Sequence, residues 1–249
     1  MIAVIFEVQP HKERFDEYLG LAKALRPQLD AIDGFIDIDR FASKRTDGRI
    51  LSLSIFRDDK AVTRWRTHAG HNGAQGRGRF EIFADYRLRV GEIFADTAPP
   101  PGYAVVEQRF DATETGDAKV VTISEIITEP GTLGAAPDAL ASQLELRAGT
   151  PGLIDSEAFE SIYQPGKLAL IAGWRDADAA SAWSPKQPAA AQSLRHRHVR
   201  IIRDYGMFDR REAPQFSLEV KRAPAQADEV RKRAAGGWCL AGLSINSSS

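Results

Sequence analysis

The sequence predicts an α+β fold that uses one βαββαβ unit twice. Three observations predict it. Residues 34–65 align without a gap on residues 152–183, apolar residues switch between strand and helix spacing within each copy, and a proline-rich joint separates the copies.

The repeat is carried by residues that fix a backbone. GFIDIDRFASKRTDGRILSLSIFRDDKAVTRW (34–65) lies over GLIDSEAFESIYQPGKLALIAGWRDADAASAW (152–183). Identities fall at Gly34/Gly152, Ile36/Ile154, Asp37/Asp155, Phe41/Phe159, Ser43/Ser161, Gly48/Gly166, Arg57/Arg175, Asp58/Asp176, Ala61/Ala179 and Trp65/Trp183. With one extra residue, Asp85-Tyr86 matches Asp204-Tyr205, and Glu7 has a counterpart in Glu125 or Glu129. So long a period reports a duplicated domain, since solenoid repeats recur every 20–50 residues or so.

In the first copy, IAVIFEV (2–8) is rich in β-branched and aromatic residues and reads as a strand. From His11 to Ile32 the apolar positions Phe15, Tyr18, Leu19, Ala22, Leu25 and Leu29 make one helical face, with Pro27 set to bend or end it. GFIDIDRFAS reads as a second strand, Asp47-Gly48 as a hairpin turn, and RILSLSIF as a third strand. Asp58 is placed to cap a helix through Ala74. FEIFADYRLRVGEI (80–93) completes the unit as a fourth strand. The second copy gives strands near 119–128, 152–162, 167–174 and 198–208, and helices near 133–148 and 176–193. The domains expected are 1–96 and 119–212, joined by a 97–118 linker with a short strand in YAVVEQRF. A 213–249 segment begins with a strand at FSLEV and continues as a flexible tail, with a helix over Gln226 to Ala234. Each copy has the ferredoxin-like order. A four-stranded sheet with helices on one face must bury the other, so the two sheets are expected to close face to face as an intrachain pseudo-dimer.

Charge and composition exclude several classes. Lys+Arg 33 and Asp+Glu 34 leave a net charge of −1, so no global field draws in nucleic acid or a membrane surface. The basic stretch LRHRHVRIIR (194–203) lacks interleaved aromatics and is a weak nucleic-acid signal. No apolar run suits a bilayer span, and MIAVIFEVQPHKERF has no signal-peptide character, so a cytoplasmic location is expected. The single cysteine, Cys239, rules out an internal disulfide and reads as an incidental thiol.

Chemistry concentrates in WRTHAGHNGAQGRGRF (65–80). GAQGRG lacks the Lys-Ser/Thr of a phosphate loop, so its glycines read as a helix exit. His68 and His71 are neighbours at helical spacing, but no third metal ligand is near them in sequence. Repeat two has SPKQPAAA in place of RTHAGHNG, and its own histidines, His196 and His198, lie nearer the last strand.

IFRDDKAVTRWRTHAGH followed by RFEIFADYRLRV resembles the antibiotic biosynthesis monooxygenase (ABM) domain, strongly over 2–95 and more weakly over 120–212. The matching residues are Arg57-Asp58, Ala61, Trp65, His71 and Asp85-Tyr86. The resemblance implies a dimeric α+β barrel, a pocket between sheet and helices, and chemistries that range from cofactor-free oxidation of phenols or hydroquinones by O2 to haem binding or degradation. Fold alone does not choose between them. For an oxidation without a cofactor the substrate must supply electrons as an anion, which needs a base, an anion holder and apolar walls. His71 or His68 would be the base, Trp65 a stacking surface, and Arg77 or Arg79 the oxyanion holder. Tyr86, Trp183 and Tyr205 suit either packing or a pocket wall. The expectation is a small aromatic substrate with O2, no metal and no resident cofactor, with the working pocket in the first half. Haem on a histidine, a non-catalytic binding domain, and pairing of the pseudo-dimer into a larger homo-oligomer stay open.

Overall fold

In the computed structural model, which describes residues 1–108, 111–132 and 136–221, eight antiparallel strands close a barrel in the order β1-β3-β2-β6-β7-β5-β8-β4. The first half supplies β1 (Ile2–Pro10), α1 (Phe15–Asp30), β2 (Phe35–Ser43), β3 (Ile50–Phe56), α2 (Asp59–Thr67), α3 (Ala69–Arg77) and β4 (Phe83–Asp96). The second supplies β5 (Val120–Thr128), α4 (Ala139–Gln143), β6 (Leu153–Ser161), β7 (Lys167–Trp174), α5 (Ala177–Ser181) and β8 (Ala191–Gly206). Within each half the sheet has the ferredoxin-like order, and the β2–β6 and β4–β8 pairings join the halves. Met1–Phe216 form one compact unit.

Strand alternation explains the core. On β1 the odd positions Ala3 and Ile5 enter the barrel, where they meet Phe41, Leu53, Ile93, Ile123, Phe159, Ile171 and Val199. The even positions Ile2 and Val4 face outward against Phe56, Leu29, Ala61 and Val62 beneath the helices. β1 is therefore covered on both faces, which is why it reads as a continuous apolar run.

The barrel interior also holds ions. Glu7 receives the guanidinium groups of Arg49 and Arg89. Its mate is Glu125, which pairs with Arg197 and, at 3.3 Å, with Lys167. Burial alone would raise both carboxyls; the paired cations outweigh it and hold them below the usual range. The seam between halves repeats the symmetry: Ser43 Oγ donates to Glu157 at 2.5 Å and Ser161 Oγ donates to Asp39 at 3.1 Å.

The turn residues of the repeat do equivalent jobs. Gly34 and Gly152 have φ of +89° and +79°, and a Cβ added there would sit 2.7 Å and 2.3 Å from the methyls of Ala61 and Ala179. Glycine is required on both counts. Asp58 and Asp176 each accept a backbone N–H, from Ala61 and Ala179, at 2.8 Å. These are N-caps.

The structure corrects the sequence reading in five places. The expected Asp58–Ala74 helix is two helices, broken at His68, whose ψ of 130° is extended. The glycines of GAQGRG lie inside α3 and in the single π turn (Gly78–Ile82) after it, and do not end the helix at Ala74. Gly78 is needed there because a Cβ would meet the Phe83 ring at 2.4 Å. The second-half helices shrink to five residues each: α5 stops ahead of Pro185 and Pro188, and α4 starts only after Pro137 and ends before Glu145, whose φ is +58°. Residues 103–108 and 216–221 form no strand, having no free sheet edge to join in a closed barrel. Finally, Tyr86 and Tyr205 are not equivalent. Tyr86 lies opposite Val8, and Ile126, the second-half equivalent of Val8, lies opposite Leu194. Residues 57–82 connect β3 to β4, whereas only 175–190 connect β7 to β8, so ten residues are missing from the second half and the Asp-Tyr match is coincidental. The expected helix over 226–234 and Cys239 lie outside the described residues.

Candidate active site

The break at His68 builds the first part of the site. α3 restarts with the Asn72 N–H donating to the His68 carbonyl at 2.8 Å. This brings the His71 ring onto Trp65 with centroids 4.2 Å apart and planes 14° apart. His68 also stacks on Trp65, at 5.9 Å. Trp65 itself packs on the apolar layer under the helices.

His71 Nδ1 lies 3.0 Å from the Trp65 carbonyl oxygen. With Nδ1–H donated to that carbonyl, the lone pair of the neutral ring is on Nε2. Burial lowers its pKa from 6.5 to about 4, against an opposing pull from the Trp65 carbonyl and with a further push from His68. The ring is neutral at pH 7. As a base towards a phenol of ordinary pKa near 10 it faces a gap of about six units, or about 8 kcal/mol. Proton abstraction by His71 is feasible only where cations hold the resulting anion.

Those cations stand around Tyr86. Its ring sits in an aromatic wall with Phe6 at 5.6 Å and Phe83 at 6.1 Å, and Tyr18 packs on Phe83 at 5.8 Å. Its hydroxyl accepts Arg210 Nη1 at 2.8 Å. Arg79 is buried beside it. Burial raises the Tyr86 phenol, while Arg210 and Arg79 pull it back. Tyr205 comes from β8 of the second half, where it lies opposite Leu88. The Arg210 guanidinium covers its ring at 5.5 Å, and Arg66 and Arg203 are also close enough to act on its phenol.

Gln75 ties the two parts together. Its Nε2 donates to the Arg66 carbonyl at 3.4 Å beside the His71 ring, and its Oε1 accepts Gln215 Nε2 at 2.7 Å. The Gln215 carbonyl in turn accepts Arg210 Nη2 at 3.4 Å. Residues 207–216 thus form a strap across the first-half site. It is fixed by Glu212, which accepts Thr113 Oγ1 at 2.6 Å and the Glu114, Thr115 and Asp204 amides at 2.6, 3.1 and 2.7 Å.

Of the residues expected from sequence, Trp65, His68, His71, Arg79, Tyr86 and Tyr205 are brought to this one face. Arg77 points elsewhere: it pairs with Glu17 on α1 and, at 3.8 Å, with Glu81. Trp183 belongs to the other half. It is buried against Trp174 at 5.7 Å and donates Nε1 to the Leu144 carbonyl at 3.2 Å. Arg66, Gln75, Arg210 and Gln215 carried no sequence signal; the last two fall where the second domain gives way to an expected tail.

The second half has a different interior at the matching place. His196 and His198 stand where the first half has Leu88 and Val90. His196 Nδ1 lies 2.8 Å from Ser124 Oγ, and its Nε2 lies 3.0 Å from His198 Nε2. Burial lowers both rings, His196 to about 4. Among the described residues no group of three or more His, Cys, Asp or Glu side chains is placed to hold a metal ion. No helix among them is long and apolar enough to cross a membrane.

Comparison with known proteins then fixes the family. The antibiotic biosynthesis monooxygenase model matches residues 1–77. The jasmonate monooxygenase ABM of Pyricularia oryzae (strain 70-15) is 40% identical over 221 residues, covering 87% of this chain and 98% of that protein. The chain belongs to the ABM family. Two aldoxime dehydratase crystal structures share the fold. One, in complex with butyraldoxime, has a TM-score of 0.51 at 13% identity, over 80% of this chain and 79% of that one. The other has a TM-score of 0.50 at 12% identity, over 80% of each chain.

Proposed function

We propose that the first-half site of this ABM-family chain hydroxylates a small, largely apolar acid of the jasmonate type with O2. The observation that carries the reading is the grouping of Trp65 and His71 with Tyr86 and Tyr205 between the first sheet and its helices, while the second half fills the same place with a tryptophan pair and a histidine pair. The 40% identity to a protein named for jasmonate supports the substrate class. Trp65 and the Phe6–Phe83–Tyr86 wall would hold the apolar body, and the strap would keep water out. Neutral His71 would accept a hydrogen bond or a proton at Nε2.

A phenol or hydroquinone is the second reading, favoured by arginines converging on a buried phenol at Tyr86. The two readings differ in electron count. Hydroxylating a C–H bond to C–OH while the second oxygen atom leaves as water consumes two electrons from outside the substrate. Oxidising an activated CH2 of an anthrone-like phenol to C=O, with release of water, consumes none.

Oxygen uptake on metal-stripped protein separates them. Jasmonic acid turned over only with an added reductant supports the first reading. Uptake with hydroquinones or polycyclic phenols and no reductant supports the second and a cofactor-free mechanism. No uptake with either panel, with or without reductant, sinks both. A Soret band on haem titration that is lost in His71→Ala would instead support haem chemistry.

A further inference from the structure

We propose that Arg210, on the strap, forms with Arg79 and Arg66 an anion clamp that takes the carboxylate of an apolar substrate. This rests on the jasmonate-type reading above and specifies which end of the molecule the protein recognises.

Three arginines from three separate elements meet around two tyrosines. Arg66 is on α2, Arg79 is in the π turn, and Arg210 is on the strap that follows β8. Arg210 donates to the Tyr86 hydroxyl and lies over the Tyr205 ring. Arg79 is 6% exposed. Arg66 Nε is buried with no hydrogen-bond partner. Asp85 accepts the Tyr86 backbone N–H at 2.8 Å and acts on the Tyr86 phenol against the arginines.

Both phenols are pushed up by burial, so they meet these cations as neutral O–H groups. A neutral phenol oxygen is a weaker partner for a guanidinium than a carboxylate is. Arg79 is held below its ordinary pKa by burial and by repulsion from Arg210, although Tyr86 works against this. A carboxylate entering between them would relieve that repulsion and accept two charge-assisted hydrogen bonds. The apolar remainder of the ligand would then lie towards Phe6, Phe83 and Trp65.

Strap placement makes the clamp selective. Glu212 and the Gln215–Gln75 bond hold the strap in addition to Arg210, whose Nη2 reaches the Gln215 carbonyl, so Nη1 can exchange the Tyr86 hydroxyl for a ligand without releasing the segment.

The test is calorimetric binding of three acids, jasmonic, 3-phenylpropanoic and decanoic, against their methyl esters, on the full chain. The clamp predicts that at least one acid binds ten-fold or more tightly than its ester. Arg210→Gln should weaken that acid about 10- to 100-fold and leave its ester within about three-fold. Arg210→Lys should retain part of the preference. A role for Arg210 in merely holding the strap would weaken acid and ester alike, and that result overturns the proposal, as does an unchanged preference. No acid outbinding its ester also overturns it. The outcomes separate from the function proposed above: phenylpropanoic or decanoic acid captured without jasmonic acid sinks the jasmonate reading and leaves the clamp standing. Jasmonic acid turned over with an unchanged acid-to-ester ratio in Arg210→Gln does the reverse.

Discussion

His196→Leu should flatten the acid limb of the stability curve. The ring is 6% exposed, and burial, then His198 and Arg197, bring its pKa from 6.5 to about 4. A folded-state pKa below the unfolded one means that the unfolded chain binds the extra proton. The stability tied to the neutral ring is therefore complete above about pH 6.5 and is lost as pH falls towards 4. A shift of about 2.5 units corresponds to about 3 kcal/mol over that window. Leucine is the residue the first half uses at the equivalent place, Leu88, so the shape is tolerated. At pH 7 the variant leaves Ser124 Oγ and His198 Nε2 without their contact, which costs about 1–3 kcal/mol. The curve is thus lower at neutral pH and shallower in acid. Urea midpoints by circular dichroism between pH 4 and 8 give both numbers. His71 and His198 stay in the variant and keep some slope. Wild-type and variant curves that run parallel from pH 7 to 4 would refute the assignment of a buried, neutral His196.

Glu7→Ala should cost about 3–5 kcal/mol, because it strands Arg89 and Arg49 inside the barrel; a loss below 1 kcal/mol in urea titration would show the pair to be well hydrated. Gly34→Ala combines a left-handed backbone with a contact on Ala61, and about 2–4 kcal/mol of destabilisation is expected from strain and overpacking together, read as a drop in Tm. Since His71 is neutral through the physiological range, kcat/KM should show no His71-dependent inflection near pH 6.5; an inflection there that disappears in His71→Asn contradicts its burial. Trp65→Phe should reduce turnover while moving Tm little, whereas Trp183→Phe should lower Tm by removing the Leu144 hydrogen bond and the Trp174 stack; equal effects of the two on turnover would argue against a single first-half site.

The fold was legible because its determinants are local. Gly34, Gly152, Asp58 and Asp176 announce turns and caps by residue type, and β1 announces two covered faces by its unbroken apolar run. Trp65, His71 and Tyr86 could be read as site candidates for the same reason. The offset between β4 and β8 was not legible. The Asp-Tyr pair in each strand matches after one extra residue and so suggested a register that the β1 and β5 pairings, which set Leu194 opposite Ile126, exclude. Arg77 and Arg79 could not be told apart by residue type: Arg77 ends α3 and pairs with Glu17, whereas Arg79 falls in the π turn and is buried. Arg210 and Gln215 were invisible because a strap is defined only by what it crosses.

Fusing the two halves has a consequence for how such a site can change. In a two-fold homodimer every substitution appears twice, so a residue cannot serve chemistry in one subunit and packing in the other. Here Tyr205 and Arg210 of the second half pack beside Tyr86 of the first, whereas the first half sends Phe94 and Thr97, residues of different chemistry, to the His196–His198 pair of the second. The connection from 175 to 190 is shorter and leaves the second half a smaller helical wall than the first. Covalent linkage keeps the partner sheet at a fixed high effective concentration, so the second half can drift in sequence as long as its barrel face still closes. Single substitutions can then tune substrate recognition without the double penalty that symmetry imposes.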